Sequence, residues 1–255
     1  MPDSFLYLLG GFSAGLLGGY LGLGGGEIMV PFLTVIAGVD IKSAVPVSVT
    51  AIVVNSFSAS NEYLKKGMVD FELVIVLAIF LVMGNIAGSN LSFFVPADYV
   101  KLLLTVLLVY TAFSLLKGRT TPQRLVFSDN RTNYLQYCLV LALLVGTLAG
   151  LVGIGGGVFL IPILYLLVGL PLTTARGTSS LMICFASASA TAVYFMNDMI
   201  EYSIASPVIV GIALGGKLGG FFGTAAKPII IRIVFFLLMI YLAYGMARDP
   251  LQQLL

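Results

Sequence analysis

The stretch that decides the fold is Gly22–Pro31, which reads GLGGGEIMVP and interrupts a long apolar run. A near copy, GIGGGVFLIP, returns 131 residues later at Gly153–Pro162. Three successive glycines leave a helix liable to unwind, and in each copy a proline follows five positions after the last glycine. We therefore predict that two apolar helices are broken at matching points of the chain.

The composition predicts a membrane protein. Of the 255 residues, 59% are hydrophobic and only 9% are charged, and the mean hydropathy is +1.08. These values leave too little polar surface for a soluble globule of this length, and apolar runs of roughly 20 residues, enough to span a bilayer, recur from end to end. We expect an all-α polytopic protein whose surroundings are the lipid bilayer. The net charge of +2 is spread over short loops, which argues against a nucleic-acid partner.

Residue types that are missing exclude several kinds of chemistry. The chain has no His, the commonest general base and metal ligand, and Cys138 and Cys184 lie far from any CxxC spacing. We expect no metal, no cofactor and no enzyme activity. Two alternatives stay open: a membrane-embedded enzyme with a Ser or Cys nucleophile and Glu27 as base, and a helical scaffold that transports nothing.

The 131-residue offset holds along nearly the whole chain. Identical pairs include Gly15/Gly146, Gly38/Gly169, Ser48/Ser179, Tyr63/Tyr194 and Gly84/Gly215. A repeat of this length indicates a duplicated bundle, because the units of solenoid proteins are much shorter. We divide the chain into a first membrane repeat (1–117), a polar cytoplasmic linker (118–133) and a second membrane repeat (134–255).

The distribution of Lys and Arg favours inverted repeats. An inverted arrangement puts nine of these residues on the cytoplasmic side and two outside, whereas a parallel arrangement gives seven and four; positive charge is normally concentrated in cytoplasmic loops. The nine are Lys65, Lys66, Lys117, Arg119, Arg124, Arg131, Lys217, Lys227 and Arg232, and the two are Lys101 and Arg248. Inversion predicts an external N-terminus and places both glycine breaks near the membrane midplane.

Two glycine breaks that meet at the midplane would form an anion site. A helix that starts there points free backbone N–H groups and its positive dipole end into the cavity, and such paired interruptions indicate a transporter binding site. The predicted backbone ligands are Gly24, Gly25, Gly26, Gly155, Gly156 and Gly157. Close helix packing, which also uses glycine, is the alternative.

The second apolar segment of each half is short, and the polar residues that follow it complete the predicted substrate site. They are Ser48 in the first half and Arg176, Gly177, Thr178 and Ser179 in the second. Arg176 can hold a sulfonate or carboxylate through two parallel hydrogen bonds; it could instead be an interfacial residue that snorkels from its helix start. Ser56 and Ser187 are expected to be small packing residues.

Glu27 and Lys217 are the candidate coupling groups. Glu27 either binds a proton during the cycle or is a helix N-terminal residue stabilised by the dipole. Lys217 lies in an apolar segment, where a charge at the centre of a membrane helix costs about 2.5–3.5 kcal/mol. We expect Lys217 to face a cavity or a partner, an expectation that a position near the interface would weaken.

The sequence resembles the sulfite exporter TauE/SafE family of membrane permeases. The resemblance rests on Gly18–Pro31, Gly150–Pro162, the RGTSS of Arg176–Ser180, the GMVD of Gly67–Asp70 and the duplication. It implies about eight transmembrane helices in two related halves. It also implies multi-pass insertion in the cytoplasmic (inner) membrane of a prokaryote and transport of small anions such as sulfite, sulfonates or sulfoacetate.

These observations together predict a secondary transporter that exposes one central site alternately to the two sides. With no GxxxxGK[ST] motif in the sequence, we expect a proton or ion gradient, or the gradient of the anion itself, to drive it. The substrate, the direction of transport and a homodimeric state are left open.

Overall fold

Helices make up the regular structure of the described residues, which are 2–116, 131–223 and 229–254 of the computed structural model. In chain order they are α1 (Pro2–Leu21), α2 (Gly26–Pro31), α3 (Ile41–Lys65), α4 (Phe71–Leu91), α5 (Ala97–Leu116), α6 (Arg131–Val152), α7 (Gly157–Pro162), α8 (Leu172–Met196), α9 (Tyr202–Gly223) and α10 (Ile229–Leu254). π-helical turns continue α2 through Phe32–Ile36 and α7 through Ile163–Leu167. Most of the predicted linker, residues 118–130, lies outside the described residues.

The expected polytopic architecture is confirmed. Six helices, α1, α3, α4, α5, α8 and α9, are long and apolar enough to cross a membrane, while α6 and α10 contribute the shorter apolar stretches Gln136–Val152 and Ile233–Arg248. Apolar side chains also cover the outside of the bundle. On α4, Ile75, Ile79 and Met83 recur at helical spacing and are each more than half exposed, as a lipid-facing stripe requires.

The two halves have matching element boundaries and run in opposite directions. The bounds of α2, of its π-helical turns and of α3 recur 131 residues later in α7, its turns and α8. Near the middle of α8, Cys184 Sγ lies 3.7 Å from the Val53 carbonyl oxygen of α3. A methyl group on Gly177, near the start of α8, would lie 2.8 Å from Cβ of Tyr63, near the end of α3. The two helices are therefore antiparallel, as inverted repeats require.

Each glycine break turns the chain back on itself. A methyl group on Gly25 would lie 2.7 Å from the Ala14 carbonyl oxygen, and the Phe32 ring fills the space beside Gly10. The short helix Gly26–Ile36 thus runs back along α1. In the second half, Gly156 lies against Val145 and Ala149 of α6 in the same way. The result is two helical hairpins that enter the bundle from opposite sides.

Glycine faces hold both hairpins in the bundle. On α9, methyl groups on Gly215 and Gly219 would collide with the α1 carbonyl oxygens of Phe12 and Leu16, and on α4 Gly84 packs in the same way against α6. Small residues let helix backbones approach closely in lipid, where the gain comes from packing contacts. The α4 and α9 helices therefore fix the position of the opposite half's hairpin.

Inversion predicts that equivalent loops lie on opposite sides of the membrane. Lys66 and Asn197 are exposed and 131 residues apart. With Cys138 and Cys184 replaced by Ala, we expect Asn197→Cys to react with a membrane-impermeant maleimide in intact cells, and Lys66→Cys to react only after the membrane is opened, since basic loops stay cytoplasmic. The cysteine-free protein is the blank. Labelling of both positions from one side would contradict the inverted arrangement.

Candidate functional site

The tips of the two hairpins meet in the middle of the bundle. We call this region the crossing: the tips Gly22–Gly26 and Gly153–Gly157, with Ile52 and Ile183 beside them. A methyl group on Gly26 would lie 2.6 Å from the Gly153 carbonyl oxygen, and one on Gly157 would lie 2.6 Å from the Leu23 carbonyl oxygen. Two backbones pack directly on each other here, so the predicted backbone ligands of both halves do come together.

Both tips need glycine for conformational as well as steric reasons. Gly24 and Gly25 have φ of 93° and 90°, and Gly155 and Gly156 have φ of 77° and 83°. L residues with a Cβ rarely adopt this left-handed region. The tips are therefore true breaks in the helices, and glycine is not needed there for packing alone.

Hydroxyls of each half secure the tip of the other. Ser48 Oγ donates to the Gly153 carbonyl at 3.0 Å, and its equivalent Ser179 donates to the Gly22 carbonyl at 3.2 Å. Asn55 Nδ2 donates to the Gly24 carbonyl at 2.6 Å. Unwound backbone away from water must find such partners. Ser48 and Ser179 thus lie at the crossing, where their protons are engaged by backbone carbonyls.

Arg176 lies beside the first tip and is buried, with 7% of its surface exposed. Its Cα and Cβ would contact a methyl group on Gly22, and its guanidinium carbon lies 5.5 Å from the centre of the Tyr20 ring. Among the described residues it forms no salt bridge. Val45 occupies the corresponding place beside Gly153. The crossing therefore has a buried cation on one side only.

Gly177 and Thr178 do not reach the hairpin tips. The Asp70 backbone N–H donates to Thr178 Oγ1 at 3.0 Å, and Gly177 packs against the Met68 carbonyl. Asp70 in turn caps α4 by accepting from the Leu73 N–H at 3.1 Å. Two of the sequence motifs noted above, GMVD and RGTSS, thus contact each other. Their contact positions the start of α8 and hence Arg176.

Glu27 lies in the first turn of α2 at the crossing and is 2% exposed. Neither carboxylate oxygen has a hydrogen-bond partner among the described residues. Its equivalent Val158 lies 131 positions later at the start of α7, and the glycines before the two residues, Gly26 and Gly157, each pack against the opposite tip. A lone buried carboxyl therefore lies between the N-termini of the two short helices.

Lys217 does not face a cavity of the bundle, and the alternative that it faces a partner stays a prediction. Lys217 is on the exposed face of α9, in line with the outward-facing Val210, Leu214 and Phe221. It lies six residues before the end of α9 at Gly223, which is roughly 9 Å at 1.5 Å per residue. A Lys side chain can extend along the helix to the interface from there, so its charge needs no cavity.

Three polar residues of the crossing were not recognised in the sequence. Asn55 Oδ1, Ser56 Oγ and Ser187 Oγ are buried and have no partner among the described residues. Ser56 and Ser187 each lie one helical turn after the isoleucines that cover Gly24 and Gly155. The sequence feature that could have indicated a site role is that both halves have a serine at this position, 131 residues apart. A role in packing alone does not explain two unpaired hydroxyls.

Comparison with known proteins identifies relatives along the whole bundle. The family described as sulfite exporter TauE/SafE matches residues 7–246. A probable membrane transporter protein of Xylella fastidiosa is 30% identical over 239 residues, which cover 91% of this chain and 89% of the relative. The probable membrane transporter protein YdhB of Bacillus subtilis is 23% identical over 238 residues, or 91% and 95% of the two chains. No solved structure matches the chain.

Alanine substitutions at Gly24, which lies at the crossing, and at Gly38, which lies outside it, separate the cost of a left-handed backbone from the cost of steric overlap. Gly38 has φ of 70° and nothing within 4 Å of an added methyl group, whereas a methyl group on Gly24 lies 3.1 Å from Ile183 and 3.2 Å from Ile52. We expect Gly38→Ala to cost about 1–2 kcal/mol from the left-handed backbone alone, and Gly24→Ala to add about 1–3 kcal/mol from overpacking. Melting temperatures in detergent measure the difference. Equal melting temperatures would mean that the crossing is loosely packed.

Proposed function

Because this chain is a membrane transporter of the sulfite exporter TauE/SafE family, we propose that it carries small sulfur-containing or organic oxyanions across a prokaryotic cytoplasmic membrane. The proposed substrates include sulfite, sulfonates and sulfoacetate. Transport is by alternating access, driven by a proton or ion gradient or by the gradient of the anion itself. The substrate binds at the crossing.

The observation that carries this proposal is the buried Arg176. A guanidinium removed from water needs an anion to offset the loss of hydration, and no acidic side chain supplies one in the described part of the chain. Guanidinium pairs best with planar carboxylate and with sulfonate-like or phosphate-like groups, through parallel N–H···O bonds. An oxyanion of the substrate is the natural partner for this side chain.

The polar groups at the crossing suit a small oxyanion. Ser56 and Ser187 offer two unpaired hydroxyl groups, and the short helices that follow the tips direct backbone N–H groups towards the centre. The side chains around the hairpin tips are closely packed, since Ile52 and Ile183 lie against both Gly24 and Gly155. These contacts favour an anion of a few heavy atoms over a bulky one.

Two equivalent tyrosines support alternating access. Tyr63 and Tyr194 are buried near the ends of the antiparallel helices α3 and α8. Tyr194 Oη donates to the Gly150 carbonyl at 2.9 Å, and Tyr63 Oη lies 3.3 Å from the Tyr20 carbonyl oxygen. Each hydroxyl thus links the long helix of its own half, α3 or α8, to the end of the helix that precedes the hairpin tip, α1 or α6. If these hydrogen bonds break one at a time, one side of the protein would open while the other stays closed.

Substitution of Arg176 tests the proposal. In proteoliposomes we expect Arg176→Ala to lower uptake of the transported anion by roughly 10–100-fold, the loss that follows when a charge-assisted hydrogen bond worth about 1.5–3 kcal/mol is removed. Arg176→Lys should keep the charge and lose the bidentate geometry, so its uptake should fall between those of Arg176→Ala and the wild type. The assay compares labelled sulfite, sulfoacetate and a small carboxylate.

Lys217→Ala is the control for the loss of a cation. Its side chain faces outward, so uptake should equal that of the wild type at equal abundance in the vesicles. Unchanged uptake in Arg176→Ala would remove the site. No uptake of any anion by the wild-type protein, with normal folding, would favour the scaffold alternative.

A further inference from the structure

The crossing holds one acidic side chain among the described residues, and it is not paired with a cation there. Glu27 is 2% exposed, and in the described part of the chain neither of its oxygens has a hydrogen-bond partner. Its equivalent in the other half is Val158. The packing of the tips therefore does not require a carboxyl group at this position, because the second tip has the same geometry without one.

No cation forms a salt bridge with Glu27 among the described residues, and this includes Arg176 of α8, which lies beside Gly22 of the same tip. The helices packed against α2 are α1, α3 and α10. Their described titratable and charged side chains are Tyr7 and Tyr20 on α1, Lys42, Glu62, Tyr63 and Lys65 on α3, and Tyr241, Tyr244 and Arg248 on α10. Lys42 donates to the carbonyl groups of Ser92 and Val95, Lys65 pairs with Glu62, and the three groups on α10 are exposed. The π-helical turns after α2 and the helix α7 carry no such group.

The carboxylate occupies the place where a substrate anion would bind. The carboxyl group lies in the first turn of α2, where the two tips contact each other, and the first N–H groups of both short helices have no partner within their own helix. These donors can stabilise one negative charge. A second anion within a few ångströms would be repelled strongly, because repulsion between like charges is large where water is excluded.

We infer that Glu27 accepts a proton when an anion enters the crossing, so that anion and proton cross the membrane together. The inference rests on the proposed function. Burial disfavours a charge on this carboxyl group, and at a pH high enough to ionise the empty site the carboxylate is the anion held at the helix N-termini. When the substrate arrives, one proton from the adjacent water neutralises Glu27, and the substrate takes over the N–H groups. The carboxyl group of Glu27 then adds no negative charge to that of the bound substrate.

This exchange links anion affinity to pH. Binding takes up one proton wherever the empty site is ionised, so the dissociation constant should rise about tenfold for each pH unit in that range. Affinity is therefore higher at low pH. A substrate that keeps its own charge is needed to see this effect, and sulfoacetate does so between about pH 6 and pH 9, because carboxylic acids titrate near pH 4.

The first experiment needs no variant. Sulfoacetate is added to the purified protein in weakly buffered detergent solution with a pH indicator, and its binding is followed in parallel by thermal shift. The titration is repeated at several pH values from about 6 to 9. We expect the uptake to rise with pH towards one proton per bound anion. Binding without proton uptake at every pH would overturn the inference and leave the proposed function standing. If neither sulfoacetate nor sulfite binds at millimolar concentration, the proposed function itself fails.

Glu27→Gln then assigns the proton to its residue. This variant should bind sulfoacetate with an affinity independent of pH, and in proteoliposomes it should carry sulfoacetate down its own gradient without being driven by a pH gradient. Glu62→Gln is the matched control, since it removes another buried carboxyl that lies at the end of α3 and pairs with Lys65; it should keep the pH dependence. A pH-dependent affinity in Glu27→Gln would overturn the assignment.

Discussion

The structure depends on one constraint: backbone groups that leave helical geometry inside a membrane must be hydrogen-bonded within the protein. The two hairpin tips break the helices at the centre of the bundle, and each is completed by the opposite half. The Gly22 carbonyl accepts from Ser179, and the Gly153 carbonyl accepts from Ser48. Asn55 adds a bond to the Gly24 carbonyl from within the first half, but both serine bonds come from the opposite half. The inverted packing of the two repeats is therefore what makes the breaks tolerable.

The backbone packing is the same in the two halves, whereas the charged groups at the crossing are not. The features that hold the frame together occur twice, including the left-handed glycines, the serine bonds and the paired isoleucines, because sterics and backbone satisfaction are the same in both halves. The charged groups at the crossing occur once: Arg176 is matched by Val45, and Glu27 by Val158. A buried charge is costly wherever the fold alone does not need it. Its presence in one copy only is the reason to connect it with the transported anion and its coupling.

The site was only partly predictable because a residue's type does not tell which atoms it contacts. Ser48 and Ser179 were recognised as polar residues of the site, yet their hydroxyl protons engage carbonyls more than a hundred residues away. Ser56 and Ser187 looked like packing residues and are the ones left unpaired. The apolar surroundings of Lys217 in the sequence predict that it faces a cavity or a partner, but the helix face on which a residue lies is set by packing, and Lys217 faces outward.

By itself the sequence determined that the protein lies in a membrane, that its segments are helical, where the helices break and that the pattern occurs twice. These properties follow from local composition, glycine conformational freedom and periodic repetition, which are all readable along the chain. Only the tertiary structure decided that the breaks meet tip to tip, that each tip is bonded by the other half, and that Glu27 and Arg176 are buried there with no salt bridge among the described residues. Those facts depend on contacts between residues far apart in the chain, and on the atoms that such contacts leave unpaired.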